Sequence, residues 1–298
     1  MLDAGFQSRD DVFMSILIFG NGWIGNKFLQ AHPEARMSTV ITTNPGEIGE
    51  ILDFEEPDNV FNAAGITGQP NVDWCEDHQV ETAVGNTMFP IMLAQACAER
   101  GIHLTHLGSG CIFYGDSPDP KGWLESDNPN PVAYYSKTKA AADLVLGPMP
   151  NVAVVRLRLP LDHEPSPKNT ITKLASYPKV LDVRNSVTVM DDLMSALFQI
   201  MEKRATGVFH AVNPEPLAYR DLMRWYREIV DPNHVNDWIS EDDLVSQGLA
   251  VKKRSTNILA NTRLSEFGIQ MRSTEEAVKD VLRRYADELE NGFRATGN

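Results

Sequence analysis

Tyr135 and Lys139 lie four residues apart, a spacing that can support proton transfer to a carbonyl oxygen. Positions i and i+4 of a helix share a face, so the ammonium group of Lys139 is expected beside the phenol of Tyr135. A neighbouring positive charge favours the ionised phenol and lowers its pKa from a usual value of about 10. The pair is therefore a candidate for protonating a carbonyl oxygen as hydride reaches the carbon, although the same spacing also occurs by chance in many chains.

A glycine-rich segment, Gly20-Asn21-Gly22-Trp23-Ile24-Gly25, follows an apolar run and precedes a helix-like segment. Glycines allow the backbone to approach a pyrophosphate closely, and a helix N-terminus offers free N–H groups and a partial positive charge. We therefore predict that all six residues bind a nicotinamide dinucleotide. A tight turn without a ligand is the alternative.

The type of dinucleotide is normally indicated at the end of the second strand. An acidic residue there contacts the ribose hydroxyl of NADH, and an arginine contacts the 2′-phosphate of NADPH. The segment reads Thr42-Thr-Asn-Pro45 and contains neither. NADPH and NADH therefore both stay open as cofactors.

Strand-like and helix-like segments alternate through the first half of the chain, which is typical of a parallel α/β sheet. We predict a Rossmann-type doubly wound parallel sheet, the dinucleotide-binding domain, over residues 14–160. Candidate strands cover residues 15–20, 38–42, 59–62, 103–107 and 152–156, and candidate helices lie near 22–31, 75–99 and 132–147.

The pattern becomes less regular after Pro160, where a proline-rich stretch is followed by candidate helices near 190–203, 218–230 and 273–290. We predict a smaller, mainly helical substrate-binding lobe over residues 161–298, with some segments returning to the first domain. Residues 1–13 carry no element that this architecture needs. They are expected to be a disordered extension, with Met14 as the physiological start.

Composition narrows the class of protein. The 298 residues include 27 Lys and Arg against 41 Asp and Glu, a formal net charge of −14 that would repel the phosphates of a nucleic acid. No run approaches the roughly 18 to 20 apolar residues that span a bilayer, and the N-terminus lacks a basic flank before an apolar segment. We therefore expect no nucleic acid, no membrane association and a cytoplasmic location.

The three cysteines, Cys75, Cys97 and Cys111, are too few for a disulfide framework and are expected to be free thiols. Cys75 and His78 have ligand-like spacing. No second Cys/His pair completes a tetrahedral site in the sequence, so no metal is predicted.

The order of these motifs resembles the extended short-chain dehydrogenase/reductases. Besides the glycine loop, the resemblance includes Asn62-Ala63-Ala64-Gly65 after a strand, Asn86 in a helix, Ser109 after a strand, and then Tyr135 and Lys139. It implies that the Asn62–Gly65 turn lines the cofactor, that Ser109 and Tyr135 hold the substrate carbonyl oxygen, and that Lys139 binds the nicotinamide ribose.

A narrower resemblance is to the nucleotide-rhamnose synthases, bifunctional 3,5-epimerase/4-reductases, and to dTDP-4-dehydrorhamnose reductases. It implies an enzyme that converts a nucleotide-diphospho-4-keto-6-deoxyglucose to the L-rhamnose derivative with NADPH or NADH, the former being usual in the family. The matching segments are residues 61–76 and 110–113, Tyr135-Ser-Lys-Thr-Lys139, Asn169-Thr-Ile-Thr-Lys173 and Arg254-Ser-Thr-Asn257.

The same resemblance implies a second chemistry at Cys111 and Lys173. Inverting a carbon beside a ketone requires one group to remove a proton from one face and another to return a proton to the opposite face. Cys111 follows Ser109 by two residues and is expected to face the same substrate, with Lys173 from the lobe as the second group. Asn169 and Arg254 are the remaining candidates for substrate contact.

Several alternatives stay open. The chain is either the bifunctional enzyme or a reductase that receives substrate from a separate epimerase, and the nucleotide is UDP or dTDP. A non-enzymatic alternative is a binding module like the regulatory subunit of methionine adenosyltransferase, which shares this general fold. Enzymes of this superfamily often form homodimers through two helices per subunit, here those near 75–99 and 132–147.

Overall fold

The computed structural model describes residues 14–69, 71–249 and 255–296. The twelve strands described are β1 (Ile16–Phe19), β2 (Arg36–Met37), β3 (Asn59–Asn62), β4 (His103–Ser109), β5 (Val152–Leu157), β6 (Pro160–Leu161), β7 (Lys179–Leu181), β8 (Arg184–Asn185), β9 (Thr188–Val189), β10 (Gly207–His210), β11 (Leu217–Ala218) and β12 (Asp237–Ile239). The α-helices described are α1 (Trp23–Ala31), α2 (Pro45–Glu55), α3 (Gln79–Ala83), α4 (Phe89–Glu99), α5 (Tyr134–Leu146), α6 (Thr170–Ser176), α7 (Met190–Glu202), α8 (Tyr219–Ile229), α9 (Glu241–Ser246) and α10 (Thr274–Thr296).

Six parallel strands form the main sheet, in the order β10-β5-β4-β3-β1-β2. The strands alternate their side chains between two buried faces, as period-two geometry requires. In β1, Ile16 and Ile18 pack in a core shared with α1 and α7, whereas Leu17 and Phe19 pack in a core shared with α2, α4 and α5. Helices on both faces make this the Rossmann-type doubly wound architecture that the sequence predicts.

A third core lies outside the main sheet and is built from α6, α8, α10 and short strands. The paired short strands are β6 with β9, β7 with β12, and β8 with β11. Between β9 and β11 the chain leaves this lobe through α7 and β10, and β10 pairs in parallel with β5. One segment beyond residue 160 is thus part of the main sheet, and the division into domains at residue 160 stays a prediction.

Two local expectations need correction. The second strand is Arg36–Met37 rather than residues 38–42, because the side chain of Ser38 accepts from the N–H of Val40 and donates to its carbonyl, forming a turn. The helix predicted near 75–99 begins as a 3-10 turn over Val72–Glu76. It continues as α3, a π-helical turn over Val84–Met88, and α4.

No helix in the described part of the chain is long and apolar enough to cross a bilayer. The predicted extension over residues 1–13 lies outside the described residues.

Candidate active site

The end of β4 presents the first site residues. Ser109 ends the strand and caps a single 3-10 turn, its hydroxyl accepting a hydrogen bond of 3.2 Å from the N–H of Cys111. The hydroxyl of Ser109 also lies near the phenol of Tyr135, which belongs to the first turn of α5. The carboxyl end of a parallel strand and the start of the next helix thus bring a hydroxyl and a phenol together, with a thiol beside them.

The pKa of the Tyr135 phenol is raised, which differs from the expectation that Lys139 would lower it. The main cause is burial of the phenol, and the neighbouring Cys111 thiol adds to it, while the hydrogen bond with Ser109 opposes the shift. A raised pKa keeps the phenol protonated at neutral pH. Tyr135 is therefore in the form that can donate a proton.

Lys139 lies one helical turn after Tyr135, but its ammonium nitrogen is directed to β4. Nζ lies 2.7 Å from the carbonyl oxygen of Leu107 and 3.2 Å from Nε2 of His106. The side chain is buried, and burial lowers its pKa to about 8, against the opposing effect of the Asp143 carboxylate. Lys139 is thus held against β4, on the same helix as Tyr135.

Cys111 is half-buried, and its sulfur accepts a hydrogen bond of 2.9 Å from Nη1 of Arg158. Arg158 is only 2 % exposed and also donates to Oδ1 of Asn185 at 2.8 Å and to the carbonyl of Ser255. No ion pair joins Arg158 to a carboxylate in the part of the chain that the structure describes. The guanidinium group therefore holds the sulfur in place and can hydrogen-bond it during a proton transfer.

The 3-10 turn that carries Cys111 is attached to the lobe by Asn257, which is 3 % exposed. Its amide nitrogen donates to the carbonyl oxygens of Gly110 at 3.1 Å and Phe113 at 2.7 Å, on either side of Cys111. Its backbone N–H donates to Asn185. The position of the thiol is therefore set jointly by the sheet and by the lobe.

The glycine loop at the start of α1 has the features that a pyrophosphate needs. Gly20 has a φ of +107°, and a Cβ there would collide with the backbone of Ala64, so only glycine fits. A Cβ on Gly22 would meet no atom within 4 Å, which leaves this side of the loop open. No described side chain caps the first turn of α1. The N–H groups at this helix end are thus available to an anion, and the residues present fit a dinucleotide.

The Asn62–Gly65 turn lies beside the glycine loop and is supported by buried amides. Oδ1 of Asn62 accepts from the N–H of Ala64 at 3.0 Å. Asn86, in the π-helical turn, accepts from the N–H of Ile66 at 2.8 Å and donates to its carbonyl oxygen at 2.9 Å. The backbone after β3 is therefore held in one conformation at the carboxyl edge of the sheet.

Lys173 lies in α6, which is attached to the first domain through the segment that precedes it. Nζ of Lys27, in α1, forms ion pairs of 2.7 Å with Asp162 and 2.9 Å with Glu164. Asn169 caps α6 by accepting from the N–H of Ile171 at 3.1 Å. The helix that carries Lys173 is thus linked to the helix that follows the glycine loop.

The side chain of Lys173 is exposed, and partial burial of its ammonium group lowers its pKa, with Lys168 adding to the effect. Among the described residues, no hydrogen bond or ion pair joins it to Cys111 or Tyr135. Its role in proton transfer stays a prediction.

A family model described as the RmlD substrate binding domain matches residues 14–287 of the chain. The chain belongs to this family. It is 37 % identical over 281 residues to a bifunctional dTDP-4-dehydrorhamnose 3,5-epimerase/dTDP-4-dehydrorhamnose reductase of Arabidopsis thaliana, covering 90 % of this chain and 92 % of that protein. It is 32 % identical to the longer trifunctional protein RHM3 of the same plant, covering 94 % of this chain and 43 % of that protein.

Solved structures give the same result. The L780 UDP-rhamnose synthase of Acanthamoeba polyphaga mimivirus superposes with a TM-score of 0.84 at 30 % identity, covering 91 % of this chain and 99 % of that one. A dTDP-4-dehydrorhamnose reductase of Bacillus anthracis, solved with NADP, shares the fold with a TM-score of 0.75 at 19 % identity, covering 92 % of this chain and 99 % of that one. The predicted membership of an enzyme family of reductases and epimerases is confirmed, and nothing favours the regulatory-subunit alternative.

In this RmlD family member, two predicted substrate contacts remain untested. Asn169 is fully buried, and besides its cap it accepts from the N–H of Asp162 and donates to the carbonyl oxygens of Asp162 and Glu164. All four hydrogen-bonding positions of its amide are thus used within the chain. Arg254 lies outside the described residues.

The sequence did not predict the buried residues that contact and position the candidate site residues of this RmlD family member. His106, Asn185 and Asn257 are all buried polar side chains whose partners are distant in sequence. A polar residue in the middle of a predicted buried strand, as His106 is in β4, was the available signal, because a buried polar group needs a partner.

Arg156, two residues before Arg158, belongs to a different group. Its Nε forms a buried ion pair of 2.8 Å with Asp143 of α5. No group of His, Cys, Asp or Glu side chains within residues 14–69, 71–249 and 255–296 could hold a metal ion.

Proposed function

We propose that this protein catalyses the 3,5-epimerisation and 4-keto reduction of a nucleotide-diphospho-4-keto-6-deoxyglucose, which yields the nucleotide-linked L-rhamnose. The observation that carries the proposal is the thiol of Cys111, in contact with Arg158, beside the Tyr135–Ser109 pair. A reductase alone has no need of an acid/base group at this position. The relatives named above carry out both kinds of step or the reduction alone.

In the reduction, Tyr135 and Ser109 hydrogen-bond the C4 carbonyl oxygen of the sugar. The raised pKa of Tyr135 keeps its proton on the phenol until negative charge develops on that oxygen, and the proton then moves to the new hydroxyl. A nicotinamide dinucleotide, when bound, supplies the hydride to C4. Lys139 contacts His106 and the carbonyl oxygen of Leu107 and lies one helical turn from Tyr135, and we assign it to binding of the nicotinamide ribose.

In the epimerisation, one group removes the proton from C5, and in a second round from C3, and the electron pair of the broken C–H bond moves into an enolate at the C4 oxygen. Tyr135 and Ser109 stabilise that oxygen in both rounds. A second group returns a proton to the opposite face of the carbon. Cys111 and Lys173 are the two groups we assign to these transfers, and the lowered pKa of Lys173 increases the fraction of free amine near neutral pH.

The cofactor site comprises the glycine loop, Gly20 to Gly25, and the Asn62–Gly65 turn. The open side of Gly22 and the uncapped first turn of α1 support binding of the pyrophosphate there. NADPH is the favoured cofactor, in line with the NADP bound to the B. anthracis reductase of the same fold. UDP and dTDP are both candidates for the nucleotide of the substrate.

The test is an NMR time course in D₂O with NADPH or NADH and UDP- or dTDP-4-keto-6-deoxyglucose. Deuterium at C3 and C5 of a rhamnose product is the expected result, because each inversion exchanges the carbon-bound proton with solvent. Oxidation of cofactor without deuterium at these carbons would show a reductase only. No reaction with either nucleotide would overturn the proposal.

Two alanine variants locate the base. Cys111→Ala is expected to abolish deuterium incorporation while leaving the affinity for NADPH unchanged. The matched control is Cys97→Ala, since Cys97 is buried in α4 and burial raises the pKa of its thiol to about 12. Undiminished incorporation in Cys111→Ala would remove the thiol from the mechanism.

We also propose that the chain forms a homodimer through the helical layer formed by α3, α4 and α5. Large apolar side chains are exposed on the segments that contain α3, α4 and α5, which pack against each other: Val80, Met88, Val132, Leu144 and Val145. A second copy would remove this apolar surface from water. Leu144→Asp is expected to convert a dimer to a monomer in analytical ultracentrifugation, and a monomeric wild-type protein would refute the proposal.

A further inference from the structure

A line of hydrogen-bonded, buried side chains connects the Asn62–Gly65 turn, called the cofactor turn below, to Lys139. Asn62 and His106 are fully buried and Lys139 is 4 % exposed. Nδ2 of Asn62 lies 3.1 Å from Nδ1 of His106, and Nε2 of His106 lies 3.2 Å from Nζ of Lys139. The line begins at the N–H of Ala64 and ends at the carbonyl oxygen of Leu107.

The direction of each hydrogen bond in this line is determined by its first member. The N–H of Ala64 can only donate, so the Asn62 atom facing it is the oxygen, and the NH₂ group of Asn62 faces His106. Nδ1 of His106 must then accept. A neutral imidazole carries one proton, which therefore lies on Nε2 and is directed at Lys139.

This arrangement has a consequence for the charge of Lys139. An ammonium group has only donors, so it cannot accept the Nε2–H of His106, whereas a neutral amine can. A protonated imidazole would not relieve the conflict, because its Nδ1–H would then oppose the NH₂ group of Asn62. Burial and the neighbouring lysine also keep the pKa of His106 well below its usual range.

We propose that His106 is a positioning residue that couples the charge of Lys139 to the conformation of the cofactor turn. When Lys139 is a neutral amine, every hydrogen bond from Ala64 to Leu107 is satisfied. When Lys139 takes up a proton, His106 must carry its single proton on Nδ1, and the amide of Asn62 must move away from it. The conformation of the turn that carries Asn62 thereby depends on the charge of Lys139, two side-chain contacts away.

Other groups around Lys139 do not provide this coupling. On its own helix, the Asp143 carboxylate favours the ammonium form, but it is itself paired with Arg156 of β5. The phenol of Tyr135 is also on this helix, and its pKa is raised, so it is uncharged near neutral pH. From β4, the groups directed at Nζ are His106 and the carbonyl oxygen of Leu107.

The inference deepens the proposed reduction, because Lys139 is assigned to the ribose there, yet it can be tested without substrate or cofactor. In protein labelled with ¹⁵N-histidine and ¹³C-lysine, NMR reports the tautomer of His106 and the titration of Lys139. We expect His106 to carry its proton on Nε2 above the pKa of Lys139 and on Nδ1 below it, in one shared transition. A tautomer that does not change between pH 6 and pH 10 would overturn the inference.

Variants distinguish coupling from a merely structural role. In His106→Gln, a side-chain carbonyl can accept from the ammonium group, so the titration midpoint of Lys139 is expected to rise by about one pH unit, a tenfold change in proton affinity. The matched control is His103→Gln, on the same strand and 1 % exposed, whose Nε2 contacts the carbonyl of Ala205. An unchanged midpoint in His106→Gln, or an equal shift in both variants, would refute the inference.

The reduction assay and the measurement of the His106 tautomer test the proposed function and the coupling separately. If the protein reduces no keto sugar but the His106 tautomer follows Lys139, the proposed function is wrong and the coupling stands. If reduction occurs and the tautomer is fixed, only the coupling is wrong. The amide of Ala64 gives an independent reading, since its protection from hydrogen exchange is expected to fall as Lys139 is protonated in the wild-type protein but not in His106→Gln.

Discussion

Arg158→Gln tests whether the guanidinium group that contacts Cys111 supports the proposed proton transfer. The glutamine amide can still donate a hydrogen bond in this buried position, but it carries no charge. Hydrogen bonds to charged groups contribute about 1.5–3 kcal/mol, against about 0.5–1.5 kcal/mol for neutral ones. A loss of about 1.4 kcal/mol of stabilisation in the transition state corresponds to an approximately tenfold slower removal of the sugar proton.

The assay separates the two reactions of the proposed enzyme. Deuterium wash-in at C5 of the keto sugar, measured without cofactor, is expected to slow about tenfold in Arg158→Gln. Reduction of a substrate already inverted at C3 and C5 is expected to stay within twofold of the wild-type rate, because Tyr135, Ser109 and Lys139 do not contact the guanidinium group in the described contacts.

Two controls separate loss of the charge from loss of folding: the conservative variant Arg158→Lys and a measurement of the melting temperature. Arg158→Lys retains the charge but cannot contact Cys111 and Asn185 at the same time, so its exchange rate should lie between those of the wild type and Arg158→Gln. A melting temperature within a few degrees of the wild type establishes that the lobe attachment survives. Deuterium exchange at the wild-type rate in folded Arg158→Gln would refute the reasoning.

Three further predictions concern the cofactor loop and the buried charges. Gly22→Ala is expected to keep its melting temperature and bind NADPH more weakly in a fluorescence titration, whereas Gly20→Ala should lower the melting temperature because its Cβ has no room. Burial lowers the folded-state pKa of Lys139 to about 8 from 10.5, so the unfolded chain binds the proton more tightly than the folded one. The resulting penalty to folding is about 3 kcal/mol below pH 8 and disappears above pH 10.5. Urea unfolding should therefore show Lys139→Met more stable than the wild type at pH 7, by an amount that shrinks towards pH 10. Arg156→Met leaves the buried Asp143 carboxylate unpaired, and calorimetry should show a loss of about 3–5 kcal/mol.

The main strands were predictable because parallel strands buried on both faces read as continuous apolar runs. β1 and β5 contain such runs, whereas β3 and β4 mix apolar with polar residues and were predicted from the alternation of strand-like and helix-like segments. The second strand was misplaced because β2 lies at the sheet edge, contains only two residues and includes the exposed Arg36. The two-residue strands of the lobe leave no periodic pattern in the sequence at all.

The site was predictable only where the residues belong to short motifs. Ser109, Cys111 and Tyr135 lie within or next to such motifs, and the structure brings their side chains together, while their catalytic roles stay predictions. The contacts of Arg158 and Asn257 join residues 27 to 147 positions apart in the sequence. Such contacts follow from the tertiary fold and have no local signature.

The position of β10 at the end of the main sheet has a consequence for the order in which the chain can fold. β5 pairs with β4 on one side and with β10 on the other, but β10 is synthesised about 50 residues after β5 ends. Until then the Val-rich edge of β5 is open, with unpaired backbone groups that can recruit another chain. The lobe segments in between must leave the ribosome during this interval. Slow translation between residues 158 and 206 would therefore prolong the period in which this protein is most prone to aggregate.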